Sequence, residues 1–259
     1  VTIQSIFGLA GRQTEAFVES IFQFMDLDLP ATFHSTVSRR LQKLNIQLPV
    51  IPTNEAIHVL VDSTGVKVYG EREWKTRVHG VSKRLTWHKL HLRGQEPRGK
   101  LSGGITTNDV SDSQVFSDFL DEVDGIVSQV SGDGAYDKYK CYEKARQRGA
   151  KATIPPRRNA VIGQLGNCKC TPHPRDKSLR RIRKVGRQKW KGESGYHRRS
   201  LSETTMFRLK VINGCKLRPR KFDNQAVELF IQFAMLNRMI QIGKPQSYKV
   251  EIYSHSGLD

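Results

Sequence analysis

The sequence predicts a mixed α/β fold: a sheet flanked by helices and preceded by a small helical region. Three observations carry this. The segment "IHVLVDSTGVKVYG" is β-branched and apolar on both faces before its Asp, as a strand buried centrally in a sheet must be. Beyond it, strand patterns give way to alternating helix and strand patterns, the order of a mixed sheet. Before it, apolar residues recur at helical spacing. The chain has 259 residues, 37% of them hydrophobic and 26% charged, enough for one large domain or one plus a smaller one. No run approaches the roughly 18 apolar residues of a membrane span, and no secretory leader pattern opens the chain. The expectation is a soluble, cytoplasmic protein with no membrane partner. Cys141, Cys168, Cys170 and Cys215 are too few and too irregular for a disulfide scaffold, so reduced thiols are expected.

In chain order, "RQTEAFVESIFQFM" puts Phe17, Ile21, Phe24 and Met25 on one side of a helix. Ser35 or Thr36 is expected to cap a second short helix, "STVSRRLQKL", whose basic residues, Arg39 and Arg40 among them, lie together. Such a pair can present its second helix to a DNA groove, or simply pack. The chain opens directly into apolar sequence, which suggests a missing beginning. "LPVIPTNE" reads as a linker. After the buried strand come strands in "TWHKLHL" and "GGITT", a helix in "SDSQVFSDFLDEV", and a strand with a tight turn in "GIVSQVSGDGAYD". A helix in "KYKCYEKARQRG" stops at its Gly, and a strand in "AKATIPP" stops at its prolines. Residues 157–190 are basic and Gly-dotted, with no clear element. A long helix is expected from about Gly195 to Val211, and an apolar helix in "NQAVELFIQFAMLNRMIQIG" closes the domain. The divisions are a helical region at 1–48, a sheet domain at 55–245 and a tail at 246–259.

The charge is the informative number: 43 Lys and Arg against 25 Asp and Glu, a net +18. Residues 151–220 hold 20 of those cations and only three acids, Asp176, Glu193 and Glu203. So concentrated an excess suits a polyanion, because binding releases the polymer's condensed cations. A solvated basic face is the plainer reading.

Asp62 follows His-Val-Leu-Val, at what reads as the end of the buried strand. Asp133 lies between glycines in "SGDGAYD", where chain and partners approach closely. Carboxylates beside an apolar sheet are costly unless a cation compensates them. Tyr196, Arg199, Glu203 and Lys210, in one helix, project within roughly 60° of one another. Leu201 and Leu209 fall off that stripe, toward the sheet. The stripe suits a place where metal, phosphate and DNA backbone meet, and also an ordinary solvated face.

Taken together, "HVLVDSTGVKVYGEREWKTRVHG", "TTNDVSDS", "SGDGAYD" and "GRQKWKGESGYHRRSLSETTMFRLK" resemble the DDE transposases of bacterial insertion sequences, in the group named after insertion sequence five. Tyr196, Arg199, Glu203 and Lys210 meet that group's Tyr-Arg-Glu-Lys signature, and the likeness runs from about Ile3 to Gly243. The resemblance implies a ribonuclease H-like core with Asp62, Asp133 and Glu203 as catalytic, metal-binding acids. Mg²⁺, or Mn²⁺ in its place, is the implied cofactor, since hard carboxylate oxygens suit it and a pair of ions can serve both oxygens of a phosphoryl displacement. The implied reaction frees a 3′-hydroxyl at the element's end and joins it to target DNA, on a homo-oligomer. Arg199 and Lys210 would hold phosphates and Tyr196 would bond to the backbone, with Arg198, Lys189, Lys191, Arg39 and Arg40 as further DNA contacts. A degenerate copy that only binds DNA, or a plain nuclease of the same fold, are the alternatives.

The chain departs from the family between Arg93 and Gly104. Where the family continues an apolar strand, turn and strand, this sequence reads "RGQEPRGKLSGG". Pro97 and four glycines are poor strand material, and a shifted reading frame would explain them. Elsewhere, Asp137 is expected to cap the helix after it, and Asp109 and Asp112 to form a turn and a cap. "CKCTPH" lacks the spacing and the fourth ligand of a zinc module. Trp74, Trp87 and Trp190 can pack in a core or stack on bases, Trp190 being the DNA-contact candidate. His79, His88 and His91 suit structural or DNA-facing places near the sheet.

Overall fold

A computed structural model describes residues 1–44, 46, 48, 54–68, 87–96, 100–163, 171–214, 216–219 and 221–243. Its spine is β1 (Ile57–Val68), buried on both faces from Ile57 to Asp62 as its apolar composition demands. Antiparallel to it lies β2 (Trp87–Glu96), followed outward by β3 (Lys100–Thr106). On the other side β4 (Val127–Ser131) and β5 (Lys151–Thr153) run parallel to β1. The order is β3-β2-β1-β4-β5, and a short β6 (Lys216–Leu217) pairs with the far end of β1. This is the expected mixed sheet flanked by helices.

Alternation along β1 sends Ile57, Val59 and Val61 to one face, where α4 (Asp112–Asp121) and α5 (Tyr139–Gln147) cover them with Phe116, Leu120, Tyr142 and Ala145. The opposite face meets α8 (Ser200–Asn213) and α9 (Phe222–Ile242), where Leu90, Leu92 and Leu101 pack against Met206, Leu209, Leu229 and Phe233. Asn237 of α9 reaches the outermost strand, accepting from the Leu101 N–H at 2.7 Å and donating to the Leu101 carbonyl at 2.8 Å.

The Arg93–Gly104 segment is not the strand breaker its composition suggests. His91 to Gln95 pair with Gly104 to Lys100 in an unbroken ladder, while residues 97–99 lie outside the described residues. The buried Arg93 is satisfied by Ser102 Oγ (2.8 Å), the Phe119 carbonyl and Glu122 (3.2 Å). Gly103 is there for space: a Cβ would run into the His91 carbonyl and the Phe233 ring.

The N-terminal helices are α1 (Thr2–Phe7), α2 (Gly11–Phe24) and α3 (His34–Lys43). The expected apolar side of α2 is only partly used, since Phe24 is 93% exposed and Thr14 is the residue it buries. Neither Ser35 nor Thr36 caps α3. Its N-cap is Phe33, and Glu15 of α2 accepts from the His34 N–H (3.0 Å) and meets the His34 ring (2.9 Å), so a neighbouring helix does the capping. Asp112 likewise yields its place as cap to Ser111, which forms a reciprocal capping box with Gln114. The basic stretch without a clear element forms α6 (Pro174–Val185) and α7 (Arg187–Ser194). Most of the linker, Trp74, His79, Cys168, Cys170, Cys215 and the 246–259 tail lie outside the described residues.

Candidate active site

Asp62 does not end its strand: it is the sixth of twelve residues in β1. What ends there is the pairing on one side. β4 pairs with β1 only as far as Leu60, and β6 pairs only from Lys67, so the sheet is split between them. The buried Asp62 stands at the mouth of the split. Asp133 stands there too, since Ser131 is the rung partner of Leu60 and both acids follow that rung by two residues. Gly132 makes the turn possible, because a Cβ would crowd the Tyr136 ring and Val61. Asp133 then caps a 3-10 turn at Gly134–Tyr136, accepting from the Ala135 N–H at 2.9 Å.

The signature does not lie on one continuous helix. Gly195, at φ +77°, ends α7 in the left-handed region that suits glycine. Tyr196–Arg199 form a 3-10 turn, and α8 begins at Ser200. The face of α8 that packs is Ser202, Met206 and Leu209, so Leu201, expected to face the sheet, is exposed instead. Glu203 and Lys210, seven residues apart, project about 20° from each other beside that face.

Across the split, the Arg199 guanidinium joins the two ends of the site. It donates to Asp62 Oδ1 (3.1 Å) and to Glu203 Oε1 (2.8 Å), and lies 3.5 Å from the Tyr196 hydroxyl. The Ser202 hydroxyl donates to the Arg199 carbonyl at 2.7 Å and is 3.5 Å from Asp62 Oδ2. Lys210 Nζ donates to Thr64 Oγ1 at 2.7 Å, two residues along β1 from Asp62. Burial works against the Arg199 charge, but Asp62, Tyr196 and Asp133 outweigh it and hold the guanidinium above its ordinary range. Burial raises the Tyr196 phenol, with Arg199 opposing and Asp133 and Glu203 adding to the rise. Both side chains therefore feel more than one of Asp62, Asp133 and Glu203.

Hard carboxylate oxygens suit a divalent cation such as Mg²⁺. Asp62 and Glu203 fit that role in place as well as in chemistry, since they already flank one cation, the guanidinium. Among the described residues, no three Asp, Glu, His or Cys side chains are gathered closely enough to hold one ion, so Asp62, Asp133 and Glu203 do not form a closed ligand set.

The proposed DNA contacts divide. Lys189, Arg39 and Arg40 are exposed, the last two on α3, which packs on α2 and α9. Lys191 sits over the Tyr196 ring, 5.1 Å from its centroid. Arg198 is half exposed and ion-paired with Glu96 at 2.6 Å. Trp190 is 5% exposed, packed beside Tyr196, and has no open face for a base. Asp137 is not a helix cap. It is buried, accepts from the Tyr142 hydroxyl and the Arg157 N–H, and pairs with Arg175 at 2.7 Å, pinning α6 to the core. His91 is buried against Thr106, and His88 meets the Phe222 ring edge-on. Sequence reasoning missed Ser202, Thr64, Glu96 and Arg175. Ser202 adjoins Glu203 and Thr64 alternates with Asp62, so both had a local signal; the other two had none.

Residues 53–238, well over half of the chain, match the family described as a transposase DDE domain, and residues 1–71 match a second family of the same description. The chain belongs to the DDE transposase domain family. Among solved structures, it is similar to a chain of a piggyBac transposase synaptic complex with hairpin DNA, at 12% identity and a TM-score of 0.36, over 75% of this chain and 50% of that one. It is also similar to a chain of a simian T-cell lymphotropic virus intasome in complex with PP2A regulatory subunit B56 gamma, at 11% identity and a TM-score of 0.29, over 88% of this chain and 71% of that one. The chain thus spans about half the length of the piggyBac chain it matches. No helix among the described residues is long and apolar enough to cross a membrane.

Proposed function

We propose that this protein is an insertion-sequence transposase that cuts DNA at the element's ends and joins the freed 3′-hydroxyl to target DNA. The observation that carries it is the Arg199 bridge between Asp62 and Glu203 at the mouth of a split ribonuclease H-like sheet, in a chain of the DDE family. Asp62, Asp133 and Glu203 are the residues that would hold divalent metal. Bound there, Mg²⁺ or Mn²⁺ supplies charge stabilisation to the attacking and leaving oxygens. In the first step water attacks the phosphorus and gives up a proton, the P–O3′ bond breaks, and the departing oxygen takes a proton to become the 3′-hydroxyl. In the second step that hydroxyl gives up its proton and attacks a target phosphorus to form a new P–O3′ bond, while the target's own P–O3′ bond breaks and its departing oxygen takes up a proton. Arg199 and Lys210 hold phosphate oxygens, which requires Arg199 to exchange a carboxylate for phosphate. The Tyr196 hydroxyl donates to the DNA backbone. Lys189, Lys191, Arg39 and Arg40 extend the cationic surface along the duplex, and a homo-oligomer engages the two ends.

The test is cleavage of element-end DNA by purified protein with Mg²⁺ or Mn²⁺. Asp62→Asn, Asp133→Asn and Glu203→Gln are each expected to fall to the uncatalysed background while DNA binding persists. Salt-sensitive binding without metal-dependent nicking would instead make the chain a DNA-binding remnant. Nicking without strand transfer would make it a nuclease.

A further inference from the structure

We propose that Glu96, from the segment that departs from the family pattern, is a positioning residue for the signature turn. This rests on the function proposed above. Glu96 is the last residue of β2 and the rung partner of His58 on β1. Its Oε2 lies 2.6 Å from Arg198 Nη2 and 3.6 Å from His58 Nδ1. On its other side the His58 ring meets Ser131 Oγ through Nε2 at 2.8 Å. His58 and Ser131 are buried, and Glu96 is three-quarters so. A row of polar groups therefore crosses β4, β1 and β2 and ends on the residue next to Arg199.

The row is fixed where the turn is not. A 3-10 turn of four residues after a left-handed glycine has little to hold it in place by itself. Gln129 Nε2 and Lys151 Nζ each donate to the Ser194 carbonyl at 3.4 Å, which pins the approach to the turn on β4 and β5. Glu96 pins its far side. Arg199 can reach Asp62 and Glu203 together only if the turn stays against the sheet, so the Glu96–Arg198 pair sets the geometry of the acids without touching substrate. Burial, together with the Arg198 and Lys151 charges, pushes His58 down to about 4, so it stays neutral and leaves Arg198 as the partner of Glu96.

The experiment pairs hydrogen exchange with cleavage kinetics on Glu96→Gln, Arg198→Met and the double variant. Faster amide exchange across residues 195–203 is expected in each, about tenfold, with β1 and α5 unchanged. Cleavage is expected to lose kcat about tenfold with DNA affinity held in Glu96→Gln, and the double variant is expected to be no worse than either single. The exchanged pair Glu96→Arg with Arg198→Glu is expected to recover the slower exchange. Unchanged exchange in Glu96→Gln would overturn the proposal. So would additive losses, or a defect of Arg198→Met confined to DNA affinity. A wild-type protein that shows no metal-dependent cleavage would sink the transposase reading alone, because exchange still decides the clamp.

Discussion

At Asp137 a carboxylate with no exposed side-chain surface is paired with one guanidinium, that of Arg175, itself 12% exposed. Removing one partner of such a pair strands the other charge in the interior, at about 3–5 kcal/mol. Arg175→Met is therefore expected to cost that much in urea unfolding, and Asp137→Asn with Arg175→Met together much less. The sequence pointed to Asp137 only as a helix cap, because its partner lies 38 residues ahead in a stretch with no clear element. Arg199, Glu203 and Lys210 were legible from a spaced signature, and Asp62 and Asp133 from the strand and the glycine turn that hold them. Their real arrangement was not: a spacing says which residues share a helix, while a 3-10 turn before the helix changes where Tyr196 and Arg199 point.

At the scale of elements, the β2–β3 hairpin shows where composition misleads. Glycine weakens a strand in isolation, yet Gly103 is required by the Phe233 ring that closes over it. Gly103→Ala is expected to cost about 1–3 kcal/mol by overpacking, read as a lower urea midpoint with an unchanged slope. β1 was legible from its β-branched run, α5 from its Gly stop and α9 from its apolar composition. α6 and α7 were not, since their residues are almost all polar and their helices rest on a few anchors such as Leu179, Trp190 and the Arg175 pair.

For the whole molecule, desolvated histidines contribute to the response to acid. His58 is held down to about 4 from its ordinary 6.5 by burial, then by Arg198 and Lys151. Burial also lowers His88 and His91. The unfolded chain binds these protons first, so stability is fully present above about 6.5 and falls as the pH drops toward 4. Melting temperature measured across that window is expected to decline in the wild type and more gently in His58→Gln. Lastly, Asn237 already occupies both main-chain hydrogen-bonding groups of Leu101 on the outermost strand. A neighbouring molecule cannot extend the sheet at that point without evicting the amide, so this rung of the rim is guarded against runaway stacking.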